Sequence, residues 1–213
     1  MTPSRTKTIA DLLLESIPRD LVMGVEDALI TGAQRAYSDA KDTNEGHRPT
    51  VLGHMRHFRM NEAFSDALGA AGANPSPLKG NKVIVGQAGV FQLGRFNISA
   101  GLWNNSRRSH TRRQMAEANR AIEQLIQPAL FDPMPVTQGA VFFVACFSGS
   151  LKVQPESPQS IHIAVPDKDM KSWLFQEPLS RFLDRYFEVP RQTDTAKPKL
   201  KPGIKERGRT DTK

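Results

Sequence analysis

Val141, Phe142, Phe143, Val144, Ala145, Cys146 and Phe147 form an unbroken apolar run. It is far shorter than the roughly 20 residues a membrane helix needs, and no other run in the chain approaches that length. A spanning protein is therefore not expected. A strand of this composition has no polar face to turn to water, so it must be central and covered on both sides. Ser160, Ile161, His162, Ile163, Ala164 and Val165 alternate and are expected to pair beside it, with 148–159 as the connecting hairpin loop.

The remaining elements follow from periodicity and breakers. A short helix is expected over 7–17, ended by Pro18, which otherwise sits in the first turn of the next helix. Val22, Val25, Leu29, Ala33, Ala36 and Ala40 give that next helix one apolar stripe over 20–41. A third helix begins near Thr50, after Pro49, with Met55, Phe58, Phe64 and Leu68 as its buried side. Residues 69–79 read as a loop. Apolar runs at 82–86 and 90–98 flank Gln87, Ala88 and Gly89 and predict a hairpin. A helix over 111–127 carries Met115, Ala118, Ile122, Leu125 and Ile126 on its apolar face, and Pro128 and Pro133 end it. A last helix is expected over 169–186, with Trp173, Leu174, Leu179, Phe182, Leu183 and Tyr186 inward and Pro178 interrupting it.

The fold class predicted is α+β. A helical N-terminal part precedes a mixed or antiparallel sheet of about four strands with flanking helices, and a disordered basic C-terminal tail follows. The boundaries implied are a helical segment at 1–45, an α+β domain at 46–190 and the tail at 191–213. The 213 residues suit one domain with an appendage, and 38% hydrophobic content is low enough that part of the chain is expected not to pack. A single cysteine excludes an internal disulfide framework, and the N-terminal stretch lacks a signal-peptide apolar core. A reducing, cytoplasmic setting is the expectation.

Charge is unevenly distributed. The chain is +7 overall, yet residues 67–116 hold seven basic and no acidic side chains, and the tail holds eight basic and three acidic. The segments 1–66 and 117–190 are each mildly acidic. Within the acid-free stretch, Arg107, Arg108, Ser109, His110, Thr111, Arg112 and Arg113 put four arginines and a histidine at a helix start, capped by Ser109 or Thr111. Cations there oppose the helix dipole, which makes sense if the partner is an anion. The bland alternative is pairing with acids from the flanks. Lys79, Lys82 and Arg95 on the hairpin extend the candidate anion surface. Phe96 and Trp103 could stack on bases, but core roles are favoured, for Phe96 especially.

Catalytic patterns are weaker. Arg48, His54 and His57 are candidates together with His110. Arg48 and His54 form an Arg-x5-His pair, similar in spacing to the pair with which helical ribonucleases of the HEPN class cleave RNA without metal. That resemblance covers two residues and implies a catalytic role for them. His54 and His57 share a helix face with Glu62 in reach, but the spacing is no metal motif, and no metal site is predicted. The order helix, hairpin, helix, strand is reminiscent of nuclease cores that hold Mg²⁺ with hairpin carboxylates. This hairpin has no acid, and Gln87, Gln92 and Asn97 are at most neutral replacements. No nucleotide-binding glycine pattern is present and no cofactor is expected. Cys146 reads as a buried, inert thiol, Ser148 and Ser150 form no nucleophile elbow, and Asp167 and Asp169 read as turn and cap residues.

These features predict a binding protein, more a module than an enzyme, that contacts DNA or RNA phosphates through the hairpin and the Arg-rich helix start. Two other classes stay open: a phosphate-handling or nucleolytic enzyme using the His and Arg candidates, and an adaptor with an acidic protein partner or a second copy of itself.

Overall fold

The structure, a computed structural model, describes residues 8–99, 102–126, 135–149 and 154–187. The tail at 191–213 and the prolines Pro128 and Pro133 lie outside them. Thr8 starts α1 (Ile9–Ser16) with a capping box: its hydroxyl accepts from the Asp11 N–H while the Asp11 carboxylate accepts from the Thr8 N–H. Pro18 then occupies the N-cap of α2 (Arg19–Ala40), so it separates the two helices. The third helix, α3 (Arg48–Ala70), starts two residues earlier than Thr50, with Pro49 inside its first turn, where a missing N–H costs nothing. Its buried stripe is Leu52, Arg56, Met60, Phe64 and Leu68, spaced by four. Met55 is only half-buried, and Phe58, off that stripe, is 39% exposed, so the expected core role for Phe58 is corrected. The helices α2 and α3 approach closely at Gly32, where a Cβ would lie 2.8 Å from the Met60 Cα.

A five-stranded mixed sheet follows, in the order β1-β2-β3-β4-β5. Its strands are β1 (Gly86–Ala88), β2 (Phe91–Ser99), β3 (Gly139–Phe147), β4 (Ser160–Pro166) and β5 (Trp173–Pro178). Only the β2–β3 pair is parallel, and the crossover between them carries α4 (His110–Ala116) and α5 (Arg120–Glu123). The apolar run lies in the central strand β3, buried at every residue. Alternation sends Val141, Phe143, Ala145 and Phe147 to one face, against α1, α2, α3 and α6 (Leu179–Asp184). Phe142, Val144 and Cys146 go to the other, against Met115 and Ala116 of α4.

Three element predictions are corrected. First, the hairpin is shifted: β1 begins at Gly86, residues 82–85 form no strand, and the turn falls at Gly89, whose φ of 52° suits glycine. Second, the 111–127 helix is broken. Asn119 is fully buried between α4 and α5, donating to the carbonyls of Ala140 (3.0 Å) and Pro166 (2.8 Å) and accepting from the Ala140 N–H (2.6 Å). Anchoring that amide in the sheet interrupts the helix with a 3₁₀ turn at Glu117–Asn119, and Ile126 ends 52% exposed. Third, 169–186 is not one helix. Asp167 organises a turn, accepting from the N–H groups of Asp169, Lys171 and Ser172. The chain then forms β5, and Pro178 caps the short α6. That extra strand makes the count five rather than about four.

Among the described residues, no helix is long and apolar enough to cross a membrane.

Candidate anion-binding site

The site arises where the sheet loses a strand. The short β1 pairs with β2 only from Phe91 to Leu93, so from Gly94 onward β2 has a strand partner on one side only. Around that open edge lies a cleft of about 350 Å³. His57 and Asn61 of α3, Asn81 and Val83 of the preceding loop, Arg95, Phe96 and Asn97 of β2, and Ser109 and Arg112 of the crossover contribute to it. No carboxylate lines it.

Arg95 forms the floor and is 5% exposed. Its Nε and Nη2 donate to Asn61 Oδ1 (2.8 and 2.7 Å), Nη2 also to the His57 carbonyl (2.8 Å), and Nη1 to Asn97 Oδ1 (3.0 Å). Every one of these acceptors is neutral. Burial, and next the neighbouring Arg112, lower its pKa from 12.5 to about 9, so it stays charged at neutral pH. Arg112 comes from the opposite face of the sheet. Its guanidinium stands 4.6 Å over the Phe96 ring, and its Nε is buried with no hydrogen-bond partner among the described residues. Burial lowers its pKa too. Neither arginine forms an ion pair with a described residue.

The fold shows elsewhere how it handles a charge buried for structure. Glu177 is 5% exposed, and Arg185 meets it with two bonds, at 2.7 and 2.9 Å, while Arg181 adds a third contact at 3.1 Å. An uncompensated buried charge costs several kcal/mol, which is why such groups are normally paired. Arg56 is also buried. It is closed in by Phe147, 4.0 Å below, and bonds Gln154 and the Pro155 carbonyl, and it does not line this cleft. Arg95, buried, and Arg112, half-buried, differ in lining an open cleft without a counter-charge among the described residues. Two larger clefts, of about 510 and 460 Å³, are lined by exposed acids and small residues or by apolar groups, and their charged groups are exposed or already paired.

The hydrogen bonds also fix the state of His57. Arg95 occupies Asn61 Oδ1, so Asn61 Nδ2 faces His57 Nε2, 3.2 Å away, and the Lys82 carbonyl at 3.4 Å. Nε2 must accept, which puts the imidazole proton on Nδ1. Burial, then Arg95, then His54 lower the His57 pKa, consistent with a neutral ring.

Of the residues singled out from sequence, the structure brings Arg95, Arg112 and His57 into one cleft. Arg107, Arg108, His110 and Arg113 flank Ser109 and Arg112 in the chain and are exposed, with the first two in a 3₁₀ turn (Trp103–Arg108) rather than the helix. Ser109 is the cap, its hydroxyl accepting from the Arg112 N–H at 3.4 Å. Lys79 and Lys82 are exposed in the loop before β1. Arg48 closes the preceding turn by donating to the Thr43 carbonyl, and His54 is exposed. Six residues is about 240° around a helix, so Arg48 and His54 lie on different sides of α3. Glu62 is held by Arg59 at 3.0 Å, and among the described residues no three His, Cys, Asp or Glu side chains gather as a metal site. Phe96 is core, and Trp103 packs edge-on against His162 and Trp173. Asn61 was not predicted as a site residue, and Asn97 was singled out only as a neutral replacement for a hairpin carboxylate; the only sequence signal for Asn61 is its position four after His57 on one helix face.

No family model matches the chain, and no curated protein or solved structure is significantly similar to it.

Proposed function

We propose that this protein is a nucleic-acid-binding module that seats a phosphate in the cleft at the open edge of β2. The observation that carries the reading is Arg95: a guanidinium on the floor of an open cleft, held only by neutral acceptors. Two arginines without a carboxylate favour an anionic occupant, and Arg forks match phosphate oxygens in both geometry and charge. The exposed Arg107, Arg108, Arg113, Lys79 and Lys82 add an electrostatic surround of the kind that tracks a phosphate backbone. Since His57 Nε2 is already engaged by Asn61, the imidazole positions the amide rather than moving protons, which favours binding over hydrolysis. The cytoplasmic setting expected from the sequence belongs to the same reading.

The test is fluorescence anisotropy of the full chain with DNA and RNA oligonucleotides from 50 to 200 mM salt. The reading predicts affinity falling steeply with salt, and a shallower slope, by about one unit, when Arg112 is replaced by Met. Affinity that is absent or insensitive to salt would refute it.

A further inference from the structure

Resting on the reading that the cleft holds a nucleic-acid phosphate, we infer that its ligand is a terminal phosphate, a phosphomonoester, rather than a diester within a strand. Charge balance is the first argument. Arg95 and Arg112 bring two positive charges to the cleft, and no carboxylate lines it. A diester carries one negative charge and would leave the second of these two cations without a counter-charge. A monoester carries about −1.5 to −2 at neutral pH and neutralises both.

Shape is the second argument. The floor is closed by Arg95, which is 5% exposed and braced from α3 by Asn61 and the His57 carbonyl. The walls are α3 and the 81–83 loop on one side, and Ser109 with Arg112 on the other. An internal diester needs room for two chain-bearing ester oxygens beside this floor, whereas a monoester needs room for one. Gly53 of α3 also lines the cleft, and a Cβ there would meet nothing within 4 Å, so the space beside it is open. Donors are the third argument. One Arg95 Nη1 N–H remains beyond its bond to Asn97, and the Arg112 guanidinium, stacked over Phe96, lines the same cleft with no ion-pair partner among the described residues. A phosphate with three terminal oxygens can accept from both guanidiniums while its fourth, ester oxygen carries the rest of the ligand.

The experiment compares matched single-stranded oligonucleotides carrying a 5′-phosphate, a 3′-phosphate or hydroxyl ends, by anisotropy, using the full chain as wild type, R95M and R112M. Inorganic phosphate and a nucleoside 5′-monophosphate are run alongside by calorimetry. The expected result is at least tenfold tighter binding of a phosphorylated oligonucleotide than of its hydroxyl counterpart. That preference should shrink below pH 6, as the monoester takes up its second proton, and vanish in either variant, with folding checked by circular dichroism. If R95M does not fold, R112M alone decides. Phosphorylated and hydroxyl oligonucleotides bound equally, with the variants weakening both alike, would overturn the monoester inference and leave nucleic-acid binding standing. Binding of phosphate or the mononucleotide with no oligonucleotide bound would support the monoester site and overturn the nucleic-acid reading. Binding of none of them overturns both.

Discussion

Replacing Arg95 with Met separates a residue kept for a ligand from one kept for the fold. A pKa lowered to about 9, by burial first and by Arg112 next, means the fold disfavours the charged form by several kcal/mol. Methionine removes that cost and keeps an unbranched side chain. It also abandons three acceptors, Oδ1 of Asn61, Oδ1 of Asn97 and the His57 carbonyl, at about 1–2 kcal/mol each. The opposing contributions nearly cancel. Arg95→Met is therefore expected to unfold within about 2 kcal/mol of wild type in phosphate-free buffer, a Tm change below about 8 °C. Arg185→Met is the contrast: it strips Glu177 of its two-bonded partner and should cost about 3 kcal/mol. With phosphate at 100 times its Kd, wild type should gain about 2.7 kcal/mol and Arg95→Met almost nothing. Urea unfolding of the three proteins, with and without phosphate, reads all of this. A loss above 4 kcal/mol for Arg95→Met without phosphate, or full phosphate stabilisation of that variant, would refute the reasoning.

Other parts of the structure make their own predictions. Asn119→Ala leaves the Ala140 N–H and the carbonyls of Ala140 and Pro166 buried without their partner, and should cost about 3 kcal/mol in denaturant unfolding; a loss under 1 kcal/mol would mean the clamp is not structural. Gly32→Ala pushes a methyl against the Met60 backbone and should destabilise by about 1–3 kcal/mol, although alanine is the better helix former. Stability should also depend on pH in a defined direction. His57 and His162 both have lowered pKa values, chiefly from burial. Well above pH 6.5 they are neutral in both states, and nothing is lost. As pH falls below 6.5 the unfolded chain takes up protons the folded one refuses, so stability declines until the folded values are passed. His57→Gln should flatten that decline, as measured by urea midpoints from pH 7.5 to 5.

The parts of the fold that were legible are those where one pattern has one physical meaning. The run at 141–147 has no polar face and becomes the fully buried β3, and the three- and four-residue spacing over 20–41 becomes α2. Misreadings fall where a long-range contact overrides local pattern. The 111–127 periodicity is helical, but nothing in it reveals that Asn119 bonds strands 21 and 47 residues away. The spacing of Trp173, Leu174, Leu179, Phe182, Leu183 and Tyr186 imitates one helix, although Pro178 in fact divides an edge strand from a short helix. The site follows the same rule. The basic stretch marks Arg95 and Arg112 as cations, but the placement of Arg95 in the cleft depends on β1 stopping short and on Asn61, 34 residues before it.

The central claim is most directly tested by the arginine Nε–H signals in nitrogen–proton NMR spectra of the full chain, titrated with a 5′-phosphorylated oligonucleotide. The account predicts that Arg95 and Arg112 shift together and saturate at one affinity, while Arg56, buried under Pro155 and over Phe147, stays in place. Shifts confined to exposed arginines, with Arg95 and Arg112 unmoved, would contradict it.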